Sequence, residues 1–492
     1  MNSRSPLFPL LAACALIRFA LIPLNTAEYT DGILLLTQFE RPTGIWPPLY
    51  TMLCWPMKHV VGPLWAGRLV SAACSSLALI PLWRLARRYF GSEAATWCGV
   101  LYILAPTALR WAPRVMSDAT FSLFFWWSSE RLLAACGTDD ARDSAKAFVM
   151  GCLAAGLAAF TRYQGMMLIV PALVVAAHGL HLKRIAPAKL LALAAFAAAP
   201  AWMAYVGTIH GEQFADRSGG GMARTLSVLV GNAEPFLLFM PYFLGYPVAA
   251  LALYGLLKPP APPRAPLLAF TAFTAVTLLI AQSLFSSFQE RYFLPLFGLL
   301  LVFAGGGAAL LADALRRRAP RVLPYALGLP VLWSVALSAA VLWGSRDAWG
   351  DVRRASQRNA ETSFGNTTWT NDFYREGIEC DKVKFFSYSM PHDKPIITKG
   401  TPSFEFITPD VLSGARPMGE GNRVLIVGIA GGEEYERQLL ARYPLEFMFE
   451  ERAMVIPIFP DLMSGYPGSQ NPLAWHSRYS PQVFWTRVYK VK

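Results

Sequence analysis

Residues 290–318 read ERYFLPLFGLLLVFAGGGAALLADALRRR. Positions 292–314 are largely apolar and as long as a helix that crosses a hydrocarbon core, roughly 17 to 25 residues. One end of this run carries Glu290 and Arg291, the other Arg316, Arg317 and Arg318. Short loops rich in Arg and Lys stay on the cytoplasmic side. The stretch therefore predicts both a transmembrane helix and its direction.

The same pattern recurs along the chain. Apolar runs at 7–25, 64–84, 93–112, 119–136, 147–161, 164–182, 189–209, 235–257, 266–285, 292–314 and 322–344 give about eleven spans. One set of gaps is basic: Arg84/Arg87/Arg88, Lys183/Arg184/Lys189, Lys258/Arg264 and Arg316/Arg317/Arg318/Arg321. The alternate gaps carry acids, often with an arginine nearby: Glu28/Asp31, Arg114/Asp118, Arg162 and Glu290/Arg291. With the N-terminus cytoplasmic, all four basic gaps fall inside and residues 345–492 fall outside. The gap at 137–146 is nearly charge-balanced and gives no vote. Residues 46–62 are apolar, but Pro47 and Pro48 disfavour a regular helix across them. Lys58 and His59 interrupt the run, which fits an amphipathic helix in the outer interface; the alternative is a short re-entrant or true transmembrane helix.

Composition agrees. Of 492 residues, 54% are hydrophobic and only 15% charged, against about 25% charged in ordinary soluble domains. The net charge of +12 sits largely in the basic loops, where it sets orientation and meets anionic headgroups, so nucleic acid is not an expected partner. The seven cysteines form no CxxC pair and indicate neither a zinc site nor a disulfide framework. Leu11-Ala12-Ala13-Cys14 has the pattern of a lipoprotein cleavage site, but the apolar run continues through Leu24, which favours an uncleaved first span. After Trp343 the chain turns polar. Residues 423–428 read as a buried strand, 433–443 as a helix, and 447–449 and 453–458 as further strands. The expected fold class is a polytopic α-helical membrane protein with a small C-terminal α/β extracytoplasmic domain, divided at 1–344 and 345–492.

Several residues of the acidic gaps are candidates for chemistry. Asp31, about one turn past the first span, has the place of a general base reaching substrates from membrane and water; a solvated loop acid is the bland reading. Asp118 and Ser117 stand where a helix cap is expected. Arg110 and Arg114 place two cations on the side that disfavours them, and guanidinium donors match phosphate oxygens. Arg162, in Thr161-Arg162-Tyr163-Gln164-Gly165, is costly beside a membrane segment unless it is functional or reaches the interface. Glu290 and Arg291 form either a local ion pair or a phosphate contact. His210 is a weaker candidate. No HExxH or DxD pattern requires a metal, although Glu28, Asp31 and Asp118 could converge on a divalent ion.

Taken in order, these segments resemble the GT-C superfamily of membrane glycosyltransferases, in the branch of the protein O-mannosyltransferases and the lipid A aminoarabinose transferase. The resemblance rests on Tyr29-Thr30-Asp31-Gly32, Pro47-Pro48-Leu49-Tyr50, Arg68-Leu69-Val70-Ser71, Thr161 to Gly165, and Glu290 to Pro295. It covers about the first 315 residues. It implies a transmembrane catalytic domain over 1–344, in a bacterial inner membrane, that moves a sugar from a polyprenyl-phosphate donor to a protein, lipid or glycan acceptor with inversion. On the same footing Asp31 is the base, Glu28 a second acid, and Arg162 and Arg291 hold the donor phosphate. Arg114, Asp118, Tyr163, Glu290 and Tyr292 complete the implied substrate site. The branch usually places an Asp-Glu pair in the first loop; here Gly32 follows Asp31. The competing class is a lipid transporter or flippase, but such proteins show repeats and charges near the midplane. Here no repeat is visible and the charges gather at one surface.

Overall fold

Prolines set several of the helix starts in the protein, whose structure is a computed structural model. It describes residues 6–25, 28, 32, 35, 46–209, 237, 239–257, 264–283, 290–347, 350–358, 362–365, 405–406, 411, 413–415, 417–428, 432–456 and 482–492. Asp31 and His210 lie outside the described residues.

Helix α1 spans Leu7–Ala20, α2 Leu49–Val61, α3 Pro63–Leu77 and α4 Leu79–Phe90. The expected span 93–112 is two helices, Ser92–Ile103 (α5) and Pro106–Trp111 (α6). Pro106 is the reason: its ring disfavours a helical residue before it, and Ala105 is extended at φ −64°, ψ 119°. Then follow α7 (Ser117–Cys136), α8 (Ala141–Thr161), α9 (Ile169–His181), α10 (Ala198–Ile209), α11 (Tyr246–Leu257), α12 (Ala265–Ser283), α13 (Leu294–Arg318) and α14 (Leu323–Ser345). Tight 3-10 turns at Tyr163–Leu168, Pro187–Ala197 and Glu290–Phe293 lead into α9, α10 and α13. The 13-residue α2 rises about 20 Å, short of a bilayer core.

Among the described residues, seven helical stretches are long and apolar enough to cross a membrane, and α11 and most of α12 are shorter apolar helices. Eleven was the expectation from hydropathy. Helix α7 is buried nearly all along its length, so it faces protein and need not be uniformly apolar. The chain is a multi-pass membrane protein.

The chain forms two compact units. The first comprises Met1–Ile22, Thr43–Leu53 and Arg68–Val341. Its centre is α13, where consecutive glycines let neighbours approach. A Cβ on Gly305 would meet Ala94 of α5, on Gly306 the Phe90 ring of α4, and on Gly307 the Leu251 carbonyl of α11. Helix association in lipid relies on such close packing of small residues.

Charged contacts collect at the two ends of this unit. At one end Arg316 pairs with Glu93, Arg184 Nη2 lies 2.6 Å from Asp139 Oδ1, and Arg88 Nη1 donates to the Leu133 carbonyl at 3.3 Å. The charge-balanced gap 137–146 thus shares an end with the basic loops. At the other end lie the start of α7, the end of α8 and the turn before α13.

The second unit comprises Pro23–Pro42, Cys54–Gly67 and Leu342–Lys492. Helix α15 (Gly350–Arg358) precedes strands β1 (Thr362–Gly365), β2 (Glu405–Phe406) and β3 (Arg423–Val427). Helix α16 (Gly432–Arg442), β4 (Leu445–Val455) and β5 (Gln482–Val491) follow. The sheet order is β2-β1-β3-β5-β4; β1 is parallel to β2 and β3, and β5 is antiparallel to β3 and β4. Val424, Ile426 and Tyr489 of the sheet pack with Leu439 of α16 and Tyr443 in one apolar cluster.

Candidate functional site

Residues 112–116 connect α6 to α7 through the interior of the first unit. Arg114, Val115 and Met116 are fully buried. A buried connection must find partners for its own peptide groups, and the Arg114 N–H donates to the Trp111 carbonyl at 3.3 Å. Met116 is extended (φ −148°, ψ 134°) and starts α7 without a side-chain cap. Asp118 therefore stands in the first turn of a helix, where the dipole favours a carboxylate. The capping reading does not hold, because Asp118 turns to two arginines instead.

Arg162 Nη1 lies 3.0 Å from Asp118 Oδ1 and 3.3 Å from Ser117 Oγ. Arg291 Nη1 lies 3.5 Å from Asp118 Oδ2 and 2.9 Å from Met116 Sδ. Arg162 closes the C-terminus of α8, where the dipole favours a cation. Its guanidinium also donates through Nε to Gln164 Oε1 at 3.0 Å. Gly165 makes this turn possible: its N–H reaches the Arg162 carbonyl at 2.8 Å, and a Cβ there would lie 2.3 Å from the Ala159 nitrogen.

Glu290 is fully buried and takes Arg110 Nη1 at 2.5 Å and Trp111 Nε1 at 3.0 Å on the same oxygen, Oε1. Its Oε2 accepts no hydrogen bond among the described residues. Two aromatic rings interleave the cations. Arg110 and Arg291 lie 4.9 Å and 5.1 Å from the Trp111 ring, and Arg291 and Arg162 lie 5.0 Å and 5.4 Å from that of Tyr292. The order is Arg110, Trp111, Arg291, Tyr292, Arg162. Ring faces attract cations, so the rungs hold guanidinium groups near each other at lower electrostatic cost. With Arg114, the described residues place four buried arginines and two buried carboxylates here, a set of guanidinium donors suited to an anion.

The structure brings together Asp118, Arg162, Glu290, Arg291 and Tyr292 from the sequence candidates, with Arg114 buried in the adjoining connection. Tyr163 opens the turn after Arg162 and is half-buried. Glu28 is buried and belongs to the second unit. Trp111, Met116 and Gln164 were not singled out from sequence; a tryptophan directly after a misplaced arginine was the available signal. Among the described residues no three His, Cys, Asp or Glu side chains are grouped to hold a metal ion.

Residues 46–204 match the family described as dolichyl-phosphate-mannose-protein mannosyltransferase. No curated protein matches the chain. Among solved structures, ArnT from Cupriavidus metallidurans bound to undecaprenyl phosphate is similar at a TM-score of 0.59 and 16% identity. That match covers 90% of this chain and 96% of ArnT. The apo state of the same protein is similar at 0.56 and 15% identity, over 90% and 95% of the two chains. Over residues 46–204 the chain thus carries the sequence pattern of that mannosyltransferase family, and over nearly all its length it shares the fold of ArnT.

Proposed function

We propose that the protein is an inverting glycosyltransferase that takes a sugar from a polyprenyl-phosphate donor at the extracytoplasmic face of a bacterial inner membrane. The observation that carries this reading is the buried ladder of arginines and aromatic rings at one end of the transmembrane unit. Such an end admits a lipid tail from the membrane while guanidinium donors meet its phosphate. Undecaprenyl phosphate, held in the similar ArnT structure, has this chemistry.

In the proposed step an acceptor hydroxyl or amine attacks the anomeric carbon. The carbon–oxygen bond to phosphate breaks, polyprenyl phosphate leaves with the bonding pair, and Asp31 takes the acceptor's proton. Attack opposite the leaving group inverts the centre. Arg162 and Arg291 neutralise charge that grows on the departing phosphate, the kind of stabilisation that lowers a barrier most. Arg114, Asp118, Tyr163, Glu290 and Tyr292 shape the donor site, and Glu28 is the second acid. In this reading residues 1–344 are the catalytic domain, the N-terminus is cytoplasmic, and 345–492 form an extracytoplasmic α/β domain.

Purified protein incubated with a labelled polyprenyl-phosphate sugar and candidate acceptors tests this. The expected result is release of polyprenyl phosphate. Asp31→Asn abolishes transfer with donor binding retained, whereas Arg291→Ala weakens donor binding. Vectorial movement of lipid in liposomes, without turnover of any donor, would favour the transporter class instead.

A further inference from the structure

Three segments widely separated in sequence meet at one hydroxyl. Ser71 Oγ of α3 donates to the Met116 carbonyl at 3.0 Å and accepts the Met116 N–H at 3.4 Å. Tyr50 OH of α2 lies 3.0 Å from the same oxygen. A serine hydroxyl has one proton and two lone pairs. With the proton given to Met116 and one lone pair taken by its N–H, the remaining lone pair receives the Tyr50 hydroxyl proton. All three residues are buried.

We infer that Ser71 is a positioning residue for the anion site, acting through Met116. It satisfies both the N–H and the C=O of one extended residue, the task a neighbouring strand performs in a sheet. Met116 is the last residue before α7; Ser117 and Asp118 follow it, and both contact Arg162. Its own sulfur lies against Arg291. Holding this one peptide unit therefore sets where the Asp118 carboxylate and the thioether stand between the two arginines. Tyr50, the last residue of Trp46-Pro47-Pro48-Leu49-Tyr50, braces Ser71 in turn. Neither residue touches the proposed donor; they orient groups that do. Alanine at 71 takes one hydrogen bond from the Met116 carbonyl and one from the Tyr50 phenol, and removes the acceptor of the buried Met116 N–H, a bond costly to leave unmade.

This assignment rests on the donor-site reading above, so the test has two arms. In the first, hydrogen exchange is followed in peptides covering residues 113–120 of the full-length protein in nanodiscs, without ligand. Ser71→Ala speeds exchange in these peptides and not in those of the opposite end, Tyr50→Phe does so to a smaller degree, and Ser71→Thr restores protection. In the second, undecaprenyl phosphate is the binding probe. Ser71→Ala weakens its affinity by about 10- to 100-fold, the range seen when a group that orients a metal-binding side chain is lost. Threonine recovers most of it, and adding Arg162→Ala makes the two losses non-additive. Unchanged exchange at 113–120, exchange rising evenly along the chain, or faster local exchange with undiminished affinity each overturns the assignment. Absence of lipid binding by the unsubstituted protein overturns the donor-site reading instead, while the exchange arm still decides whether Ser71 clamps Met116.

Discussion

Among the described residues Glu290 gathers its hydrogen bonds on one oxygen, from Arg110 and from the Trp111 indole. Neither partner of this ion pair reaches water to any extent, and Arg110 neutralises the Glu290 carboxylate. Removing one member of a buried pair costs about 3–5 kcal/mol, whereas replacing both with apolar side chains is often neutral. Glu290→Gln is therefore expected to lower the thermal unfolding midpoint in detergent sharply, and Arg110→Met with Glu290→Leu to recover most of the loss. A double variant no better than the single one would mean that the pair contributes more than mutual neutralisation. Sequence alone read Glu290 and Arg291 as either a local ion pair or a phosphate contact, because adjacent opposite charges beside an apolar run demand an explanation. It did not reveal that Glu290 meets Arg110, since the two are 180 residues apart and no local spacing links them. Asp118 was open to a capping reading for the same reason: its position before a helix was legible, its partners were not.

Helix α13 shows how one element packs several others. Gly305, Gly306 and Gly307 present three successive directions, to α5, α4 and α11. Gly255 of α11 returns the approach: a Cβ on it would lie 2.1 Å from the Phe303 carbonyl and 3.0 Å from the Gly307 nitrogen. Overpacking a well-filled interface typically costs 1–3 kcal/mol, occasionally more. Gly307→Val meets backbone rather than a yielding side chain, so the loss is expected at or above that range, read as a lower unfolding midpoint and poorer recovery of monodisperse protein. Equal stability would show that α11 can slide away freely. The apolar runs themselves were legible throughout, but their ends were less so. The expected start of one span at residue 147 lies inside α8, which begins at Ala141; its polar first turn hid it, and Asp140 caps it by accepting the Asp143 N–H at 2.8 Å. In the second unit β4 runs unbroken from Leu445 to Val455, where the sequence suggested two strands. Glu450, Glu451 and Arg452 interrupt its apolar pattern, yet Glu450 pairs laterally with Arg487 of β5 at 2.7 Å, so the charges belong to the sheet.

At the scale of the molecule, the described charges of the first unit gather at two ends, Arg88, Arg184 and Arg316 at one and Asp118, Arg162 and Arg291 at the other. The pairing of Arg184 with Asp139 supplies what the charge-balanced gap could not. The proposed orientation has a direct check. Among the described cysteines five are buried and Cys136 is partly so, and the remaining one, Cys380, belongs to the 345–492 tail. A membrane-impermeant maleimide applied to intact spheroplasts should label the protein, and Cys380→Ser should remove the signal; labelling that requires broken membranes would reverse the orientation. The continuous 25-residue α13 carries a last consequence. The helix follows directly on the turn holding Glu290, Arg291 and Tyr292, its middle seats three neighbours, and its end carries Arg316 against Glu93. One inserted or deleted residue inside it would rotate everything beyond by about 100° and shift it by about 1.5 Å. Between 290 and 318 the polypeptide is thus a ruler, tolerant of spelling changes but not of a change in the number of letters.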